Sequence, residues 1–467
     1  MSAPPSLRAR RSATETRAPL PPSPRSRYPG EFLALLARDH LALFRRMAAQ
    51  GDVVQIRIGT QRLVLLNHPD DIQRMLATEQ KSFVKGRALE RVKVLLGEGL
   101  LTSEAPRHLR QRRLMQPAFH RDRVATYGAV MSEYARHTAD RWHDGAVLDV
   151  HEEMMRLTRA IAGKTLFALE VGNDPGGVHD TIALSLKLYR YAVLPGGGVV
   201  EYLPLPLVRR AQRARARLNA WLAETIRRRR EENGEPGDLL SMLLAARDDD
   251  GSAMSDQEVR DELVTLLLAG HETTAVALSW AWHLLSAHSA VQAKLHAELD
   301  AVLEGRPPTA ADTAKLPYTR TVLAEAMRLY PPAWIVERCA VSEFTARGMR
   351  IPAGSLVYAS PFLVQHDRRW YDDPERFDPD RWLAARDAKR PKFAYFPFGA
   401  GTRVCIGEQF AWMEGMLILA TIGQRWRLEH DPTHKVAMEP LVTLRPKFGM
   451  RMRVSSRAPA GRTWPAA

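Results

Sequence analysis

One run constrains this chain more than any other: Phe396-Pro397-Phe398-Gly399-Ala400-Gly401-Thr402-Arg403-Val404-Cys405-Ile406-Gly407, followed by the largely apolar stretch Glu408–Ala420. Glycines at 399, 401 and 407 let a backbone come close to a flat object. The apolar stretch begins a helix, so Cys405 sits beside a helix N-terminus, where the dipole and free N–H groups favour a thiolate. Arg403 adds positive charge two residues away. A thiolate so placed is a good soft ligand for iron. The competing reading is an inert buried cysteine. It does not explain why glycines, an arginine and a helix start converge on one position. Cys339, the other cysteine, lacks glycine neighbours and a helix start. Two cysteines in 467 residues exclude a disulfide scaffold and a protein-built Cys-rich zinc or iron–sulfur site.

The rest of the chain reads mostly as helix. Val53–Gly59 and Arg62–Leu66 are expected as two strands around a tight turn, and Pro69–Ala77 as a short helix. Apolar periodicity predicts helices at Val124–Trp142, Met154–Leu169, Thr181–Tyr191 and Asp238–Ala246. Pro195–Gly198 reads as a flexible link. Ser255 and Glu258 form a capping box that opens a helix to about Ser286. Tyr318–Tyr330 is another helix, stopped by Pro331-Pro332. Arg350–Ser360 is expected as a hairpin turning at Pro352-Ala353-Gly354.

Lys and Arg outnumber Asp and Glu by 67 to 53, a net charge of +14. Residues 1–30 hold six Arg, one Glu and seven Pro, a composition that buries almost nothing. Arg209–Arg230 holds nine Arg, but apolar residues recur there at helical spacing, as in a helix with a solvated basic face. Aromatic interleaving and finger-type spacing are missing, so nucleic-acid binding is not expected. No stretch approaches the ~20 apolar residues of a membrane span.

Two further motifs carry chemistry. In Glu325-Ala326-Met327-Arg328 the charged residues share a helix face and can pair. In Ala269-Gly270-His271-Glu272-Thr273-Thr274 a glycine and two threonines sit mid-helix, where they are poor choices. A weak point in a well-capped helix points to a functional bulge. The competing reading is a threonine bonded back to a carbonyl.

The pattern FxxGxRxCxG, complete at Phe398, Gly401, Arg403, Cys405 and Gly407, resembles that of the cytochrome P-450 superfamily, haem-thiolate monooxygenases, here of the soluble bacterial type. The resemblance implies a mainly α fold with a minor β lobe, one large domain over 29–453 between a disordered tail at 1–28 and a loose one at 454–467. It makes Cys405 the axial ligand of haem b (iron protoporphyrin IX), a thiolate that favours O–O cleavage. Glu325, Arg328 and Arg376, the last from Pro374-Glu375-Arg376-Phe377, would form a buried charge cluster behind the cysteine loop. Glu272 and Thr273 would relay protons to dioxygen, with Ala269 and Gly270 leaving it room. His108, Arg112, Arg338 and Arg403 would hold the haem propionates, and Phe398, Gly407 and Ala269 would flank the ring. A pocket roofed by about Phe83–Leu100 would be lined by Leu267, Ala269, Ala333, Trp334, Ile335, Leu441 and Val442.

The function so implied is oxidation, by hydroxylation or otherwise, of a hydrophobic small molecule that is terpenoid, carotenoid or fatty-acid-like. Electrons would come from an acidic ferredoxin or flavodoxin with its reductase, docked on Arg107, Arg110 and Arg113 and on Lys389, Arg390 and Lys392. A cytoplasmic protein without a transmembrane anchor is expected. Two alternatives stay open: a haem-thiolate enzyme that uses peroxide, and a haem sensor or carrier without turnover.

Overall fold

The computed structural model describes residues 18–168, 203–232, 238–383 and 390–457, with scattered positions from 177 to 200. The expected helix at 181–191 lies largely, and the 195–198 link and Lys389 wholly, outside the described residues. The helix Asp256–Ala287 forms the axis of the fold. It opens at the expected capping box, with Glu258 N donating to Ser255 Oγ (3.2 Å) and Ser255 N to Glu258 Oε2 (2.9 Å). A helix apolar on nearly every side must be covered on every side. Val150–Phe167, Pro206–Glu231, Pro317–Leu329 and Glu408–Arg425 pack around it. Among the described helices it alone is long and apolar enough to cross a membrane, and it is buried in the core.

The β lobe centres on a sheet in the order Val53–Ile58, Gln61–Leu66, Leu356–Ala359, Val336–Ala340, Phe83–Lys85. The expected hairpin of the first two strands is present, with Ile58 opposite Gln61. The expected hairpin at 350–360 is not. Met349–Ile351 pairs with Phe344–Ala346, whereas Leu356–Ala359 runs parallel to Leu63–Leu66 and antiparallel to Val336–Cys339. The turn exists, with Ser355 N donating to Pro352 O at 3.2 Å, but it passes the chain from one sheet to another. Leu356–Ala359 is buried at every position, which suits a central strand and not half of an exposed hairpin.

The described residues at both ends of the chain, within the segments expected to be loose, are bonded to the fold. Arg350 N donates to Pro19 O (2.8 Å) and Gln55 N to Pro22 O (2.9 Å), so this stretch runs against the lobe. Proline lacks a donor, but its carbonyl still accepts. At the other end Arg451–Ser456 is a strand between Val147–Asp149 and Trp426–His430, with Val454 fully buried.

Candidate functional site

Backbone bonds set the cysteine loop. Gly399 N donates to Phe396 O (3.0 Å), Val404 N to Gly401 O (3.2 Å) and Cys405 N to Phe398 O (2.9 Å). The Phe398 ring lies 5.8 Å from Trp412 on the helix Glu408–Arg425, whose N-cap is Gly407. The glycines serve different needs. Gly399 and Gly401 are left-handed, with φ +69° and +67°. A Cβ at Gly401 would also strike Leu76 O and Gln80, so its close approach is to protein. Gly407 has an ordinary φ of −89°, and a Cβ there would touch only Phe119, at 3.9 Å; crowding by protein does not account for it.

Cys405 keeps an exposed face. Protein atoms crowd its other sides, and this burial pushes the thiol up to about 11 despite the Gly407 amide and Arg112. The helix start alone therefore does not make the thiolate; a bound metal cation deprotonates such a thiol outright. Cys339 lies on a strand of the lobe and is also pushed up by burial.

The expected propionate partners converge. His108 and Arg112 come from the helix Arg107–Met115, Arg338 from the strand Val336–Ala340 and Arg403 from the cysteine loop. Lys85, at the end of Phe83–Lys85, joins them and carried no motif to reveal it. Burial, then Arg403, Lys85, Arg112 and Arg338, hold buried His108 down to about 3. Burial and Arg403 likewise bring Lys85 down to about 6 and Arg338 to about 10. Arg112 donates to Val404 O (2.7 Å), Arg403 to Ser103 O (2.7 Å), Arg338 to Glu337 O (2.9 Å) and Lys85 to Leu100 O (3.0 Å). Among the described residues, the one carboxylate paired with any of these cations is Glu104, on Arg403. His108 Nδ1 is buried without a hydrogen-bond partner. Half-buried arginines with one carboxylate among them, an orphaned imidazole nitrogen, room at Gly407 and the open face of Cys405 fit a flat iron chelate with two carboxylates.

Thr265, Ala269 and Thr273 share one face of the long helix. Thr273 Oγ1 donates back to Ala269 O (2.8 Å), and its oxygen remains an acceptor. Gly270 does not belong to this groove: its Cβ direction leads to Leu166 and Ala162 of the adjacent helix. Glu272 is buried and accepts from Thr443 Oγ1 (2.6 Å), a partner that nothing near it in sequence reveals. Burial raises its carboxyl above the usual range, against Thr443 and Arg445. Glu414 is a second buried carboxyl missed in the sequence. It is pushed up to about 8 by burial; Thr274 lies near, but neither oxygen has a well-formed hydrogen bond.

Two expected pocket residues belong to cores instead. Leu267 is two positions from Ala269, on another side of the helix, and packs in the main helical core. Trp334 packs at 6.2 Å from Phe44 and donates Nε1 to Leu441 O (2.9 Å). Ala333 and Val442 are exposed, and Ala269, Ile335 and Leu441 are half-buried.

The charge cluster is real, but Arg376 is not its third member. Glu325 accepts from Arg328 Nε and Nη2 (both 2.9 Å), from Arg381 Nε (3.0 Å) and from Trp382 Nε1 (2.9 Å). The 3-10 turn Pro379–Trp382 carries Arg381 inward. Arg376 is exposed and contributes only its carbonyl, to Arg328 (3.1 Å) and Arg381 (3.3 Å). The outer arginines also differ from expectation. Arg110 pairs with Asp248 (2.8 Å) and Glu258 (3.2 Å), Arg113 with Asp248 and with Asp249 (3.0 Å), and Arg107 with Glu258 (3.6 Å). Arg390 lies over Tyr371 and Trp382, at 4.4 and 4.9 Å.

A family model described as Cytochrome P450 matches residues 21–451. A cyclooctatin synthase of Streptomyces melanosporofaciens is 40% identical over 88% of this chain and 90% of its own. A cyclooctat-9-en-7-ol 5-monooxygenase of the same organism is 40% identical over 86% and 88%. A pentalenene oxygenase of Streptomyces avermitilis is 36% identical over 91% and 94%. The crystal structure of a cytochrome P-450DA heme domain superposes with a TM-score of 0.86 at 26% identity, covering 96% of this chain and all of that one.

Proposed function

The chain belongs to the cytochrome P-450 family and is a monooxygenase of it, and on that premise we propose that Cys405 ligates the iron of haem b while His108, Arg112, Arg338, Arg403 and Lys85 hold its propionates. The haem, when bound, supplies dioxygen activation. The chain's own residues position and protonate. Phe398 O fixes the Cys405 backbone, and Ala269 leaves space on the face shared with Thr273. Thr273 Oγ1 holds a proton at the groove, and Glu272, exchanging Thr443 for the hydroxyl, resupplies it. Glu325, Arg328 and Arg381 hold the segment before the cysteine loop.

The substrate is a terpenoid-like hydrocarbon. The relatives' names support this, as do the apolar residues Ala333, Ile335, Leu441 and Val442 of the proposed pocket, which the segment from Phe83 to Leu100 would roof. Electrons come from an acidic ferredoxin or flavodoxin with its reductase, in the cytoplasm; the net charge of +14 supports an acidic partner.

The observation that carries this reading is the convergence of Arg112, Arg338, Arg403, Lys85 and His108 beside the cysteine loop, with Glu104 the one paired carboxylate among the described residues. Its test is the spectrum of the reduced protein under carbon monoxide. Cys405→Ala should lose the thiolate signature while Cys339→Ala keeps it; the reverse pattern would sink the assignment.

A further inference from the structure

We infer that Thr443 is a positioning residue of the proton relay: its hydroxyl holds the Glu272 carboxyl away from Thr273 in the resting chain, and the strength of that hold sets how often the acid can serve the groove. The inference rests on the reading above that Glu272 resupplies Thr273.

The two side chains of that relay are not joined. Thr273 Oγ1 donates to Ala269 O (2.8 Å), and Glu272 Oε1 accepts from Thr443 Oγ1 (2.6 Å). Among the described residues, each side chain makes only that hydrogen bond. Neighbours in a helix point about 100° apart around its axis. Glu272 therefore reaches Thr273 only by turning its side chain, and turning breaks the bond to Thr443.

Of the two partners, Thr443 is the one that stays. It is buried in the turn between the strands Met438–Pro440 and Leu444–Pro446. On one side of it Trp334 Nε1 holds the carbonyl of Leu441 (2.9 Å), and on the other Trp280 Nε1 holds that of Leu444 (2.7 Å). Leu444 N donates to Pro332 O (3.0 Å), and Leu441 N to Thr443 O (3.1 Å) within the turn. Both indoles are buried, and Trp280 stands on the same helix as Glu272, about two turns along. The hairpin and the helix are thus pinned to each other beside the acid. A hydroxyl fixed in this way is a post, and the long, rotatable glutamate side chain is the arm that leaves it.

The bond also bears on the acid's charge. Burial favours the neutral carboxyl, and two groups oppose it: Thr443, then Arg445 on the strand Leu444–Pro446, itself paired with Glu439 (2.8 Å). Among the described residues no other charge acts on it. Loss of the Thr443 donor therefore has two effects in one direction: the carboxyl takes up a proton more readily, and it is free to turn toward Thr273.

The test uses the full-length, haem-loaded ferric chain. Thr443→Val keeps the shape and removes the donor. In it the carboxylic-acid band of Glu272 in infrared difference spectra should titrate about one pH unit higher, a roughly tenfold change of the size expected when a bond to a charged group is lost. Glu272→Gln identifies the band by abolishing it. Peroxide-driven oxidation of the dye ABTS consumes protons at the same groove and needs neither the natural substrate nor a redox partner. In Thr443→Val it should run severalfold faster with a smaller solvent isotope effect, at an unchanged KM for peroxide. Thr443→Ser keeps the hydroxyl and should restore the titration and the rate of the parent. Thr443→Cys, a weaker donor, should fall between them, which covers the case in which the valine variant fails to fold. An unmoved titration overturns the hold. A moved titration with an unchanged rate and isotope effect overturns its control of the relay. If Glu272→Gln itself leaves the peroxide-driven rate unchanged, the relay reading falls instead, and the titration still decides whether Thr443 holds the acid.

Discussion

The helix Arg107–Met115 presents two basic faces that differ in one respect. Inward, His108 and Arg112 join Lys85, Arg338 and Arg403 around a single paired carboxylate, Glu104. Outward, Arg107, Arg110 and Arg113 meet Glu98, Asp248, Asp249 and Glu258. The outward pairs form because the turn before the long helix folds back, closed by a bridge between Arg247 and Ala253. Exposed pairs of this kind contribute only about 0–1 kcal/mol. Crowding cationic side chains without carboxylates is costly: the arginines are held half-buried, and Lys85 and His108 are driven toward their neutral forms. A chain keeps such a cost where a bound anion repays it. What marks a ligand seat here is therefore the missing counter-charge, not the cations.

The Glu325 cluster sharpens the contrast, being buried with its two guanidiniums met by one carboxylate and by the carbonyls of Gln365, Pro374, Asp372, Asp373 and Arg376. Removing its carboxylate would turn it into the inward arrangement without a ligand. Glu325→Ala leaves Arg328 and Arg381 as unpaired buried cations, so a loss of roughly 3–5 kcal/mol is expected, read as little haem-loaded protein on purification. Arg376→Ala, whose side chain is exposed, should load normally. Equal damage from both would restore Arg376 to the cluster.

The next effect tests whether the inward face is truly uncompensated. The folded chain holds His108 down to about 3, below the 6.5 it has when exposed. Between these values the unfolded chain binds a proton that the folded chain refuses. The contribution is therefore fully favourable above the unfolded value and is lost as pH falls toward the folded one. From about pH 7 to about pH 5 the haem-free chain should lose roughly 2 kcal/mol at this site. Urea unfolding should show that extra loss in the parent and not in His108→Gln. Matching slopes in the two proteins would mean that the imidazole has an anionic partner, and the contrast between the faces would fall.

What the sequence showed follows from how local each feature is. The Ser255 cap, the Cys405 loop and the Glu325–Arg328 pair are set by residues within a few positions, and each could be read. The choice between Arg376 and Arg381 was not legible, because Pro374-Glu375-Arg376-Phe377 and Pro379-Asp380-Arg381-Trp382 look alike until a 3-10 turn rotates only the second inward. Lys85, Glu104 and Thr443 were missed because their partners lie far away in the chain. The hairpin at 350–360 failed for the same reason: the register of Leu356–Ala359 is decided by Leu63–Leu66.

The smallest expected effect falls on the outward face, where the sequence had placed the redox partner. Unanswered arginines would steer an acidic ferredoxin and speed its association. Here Arg113 is half exposed but shares Asp248 with Arg110 and pairs with Asp249, so the local field is close to neutral. Arg113→Glu should then change reduction by a ferredoxin less than about twofold at low salt, since an exposed pair contributes only ~0–1 kcal/mol. The opposite change should do more. Asp248→Asn with Asp249→Asn frees Arg113 and leaves Arg110 only Glu258, and reduction should become faster and more salt-sensitive, because salt near 0.15 M screens charges beyond about 8 Å. A tenfold loss in Arg113→Glu would show that the partner's carboxylates displace Asp248 and Asp249. The outward face would then be a docking site held closed by its own acids, and the two faces would differ in the ligand they await and not in whether they await one.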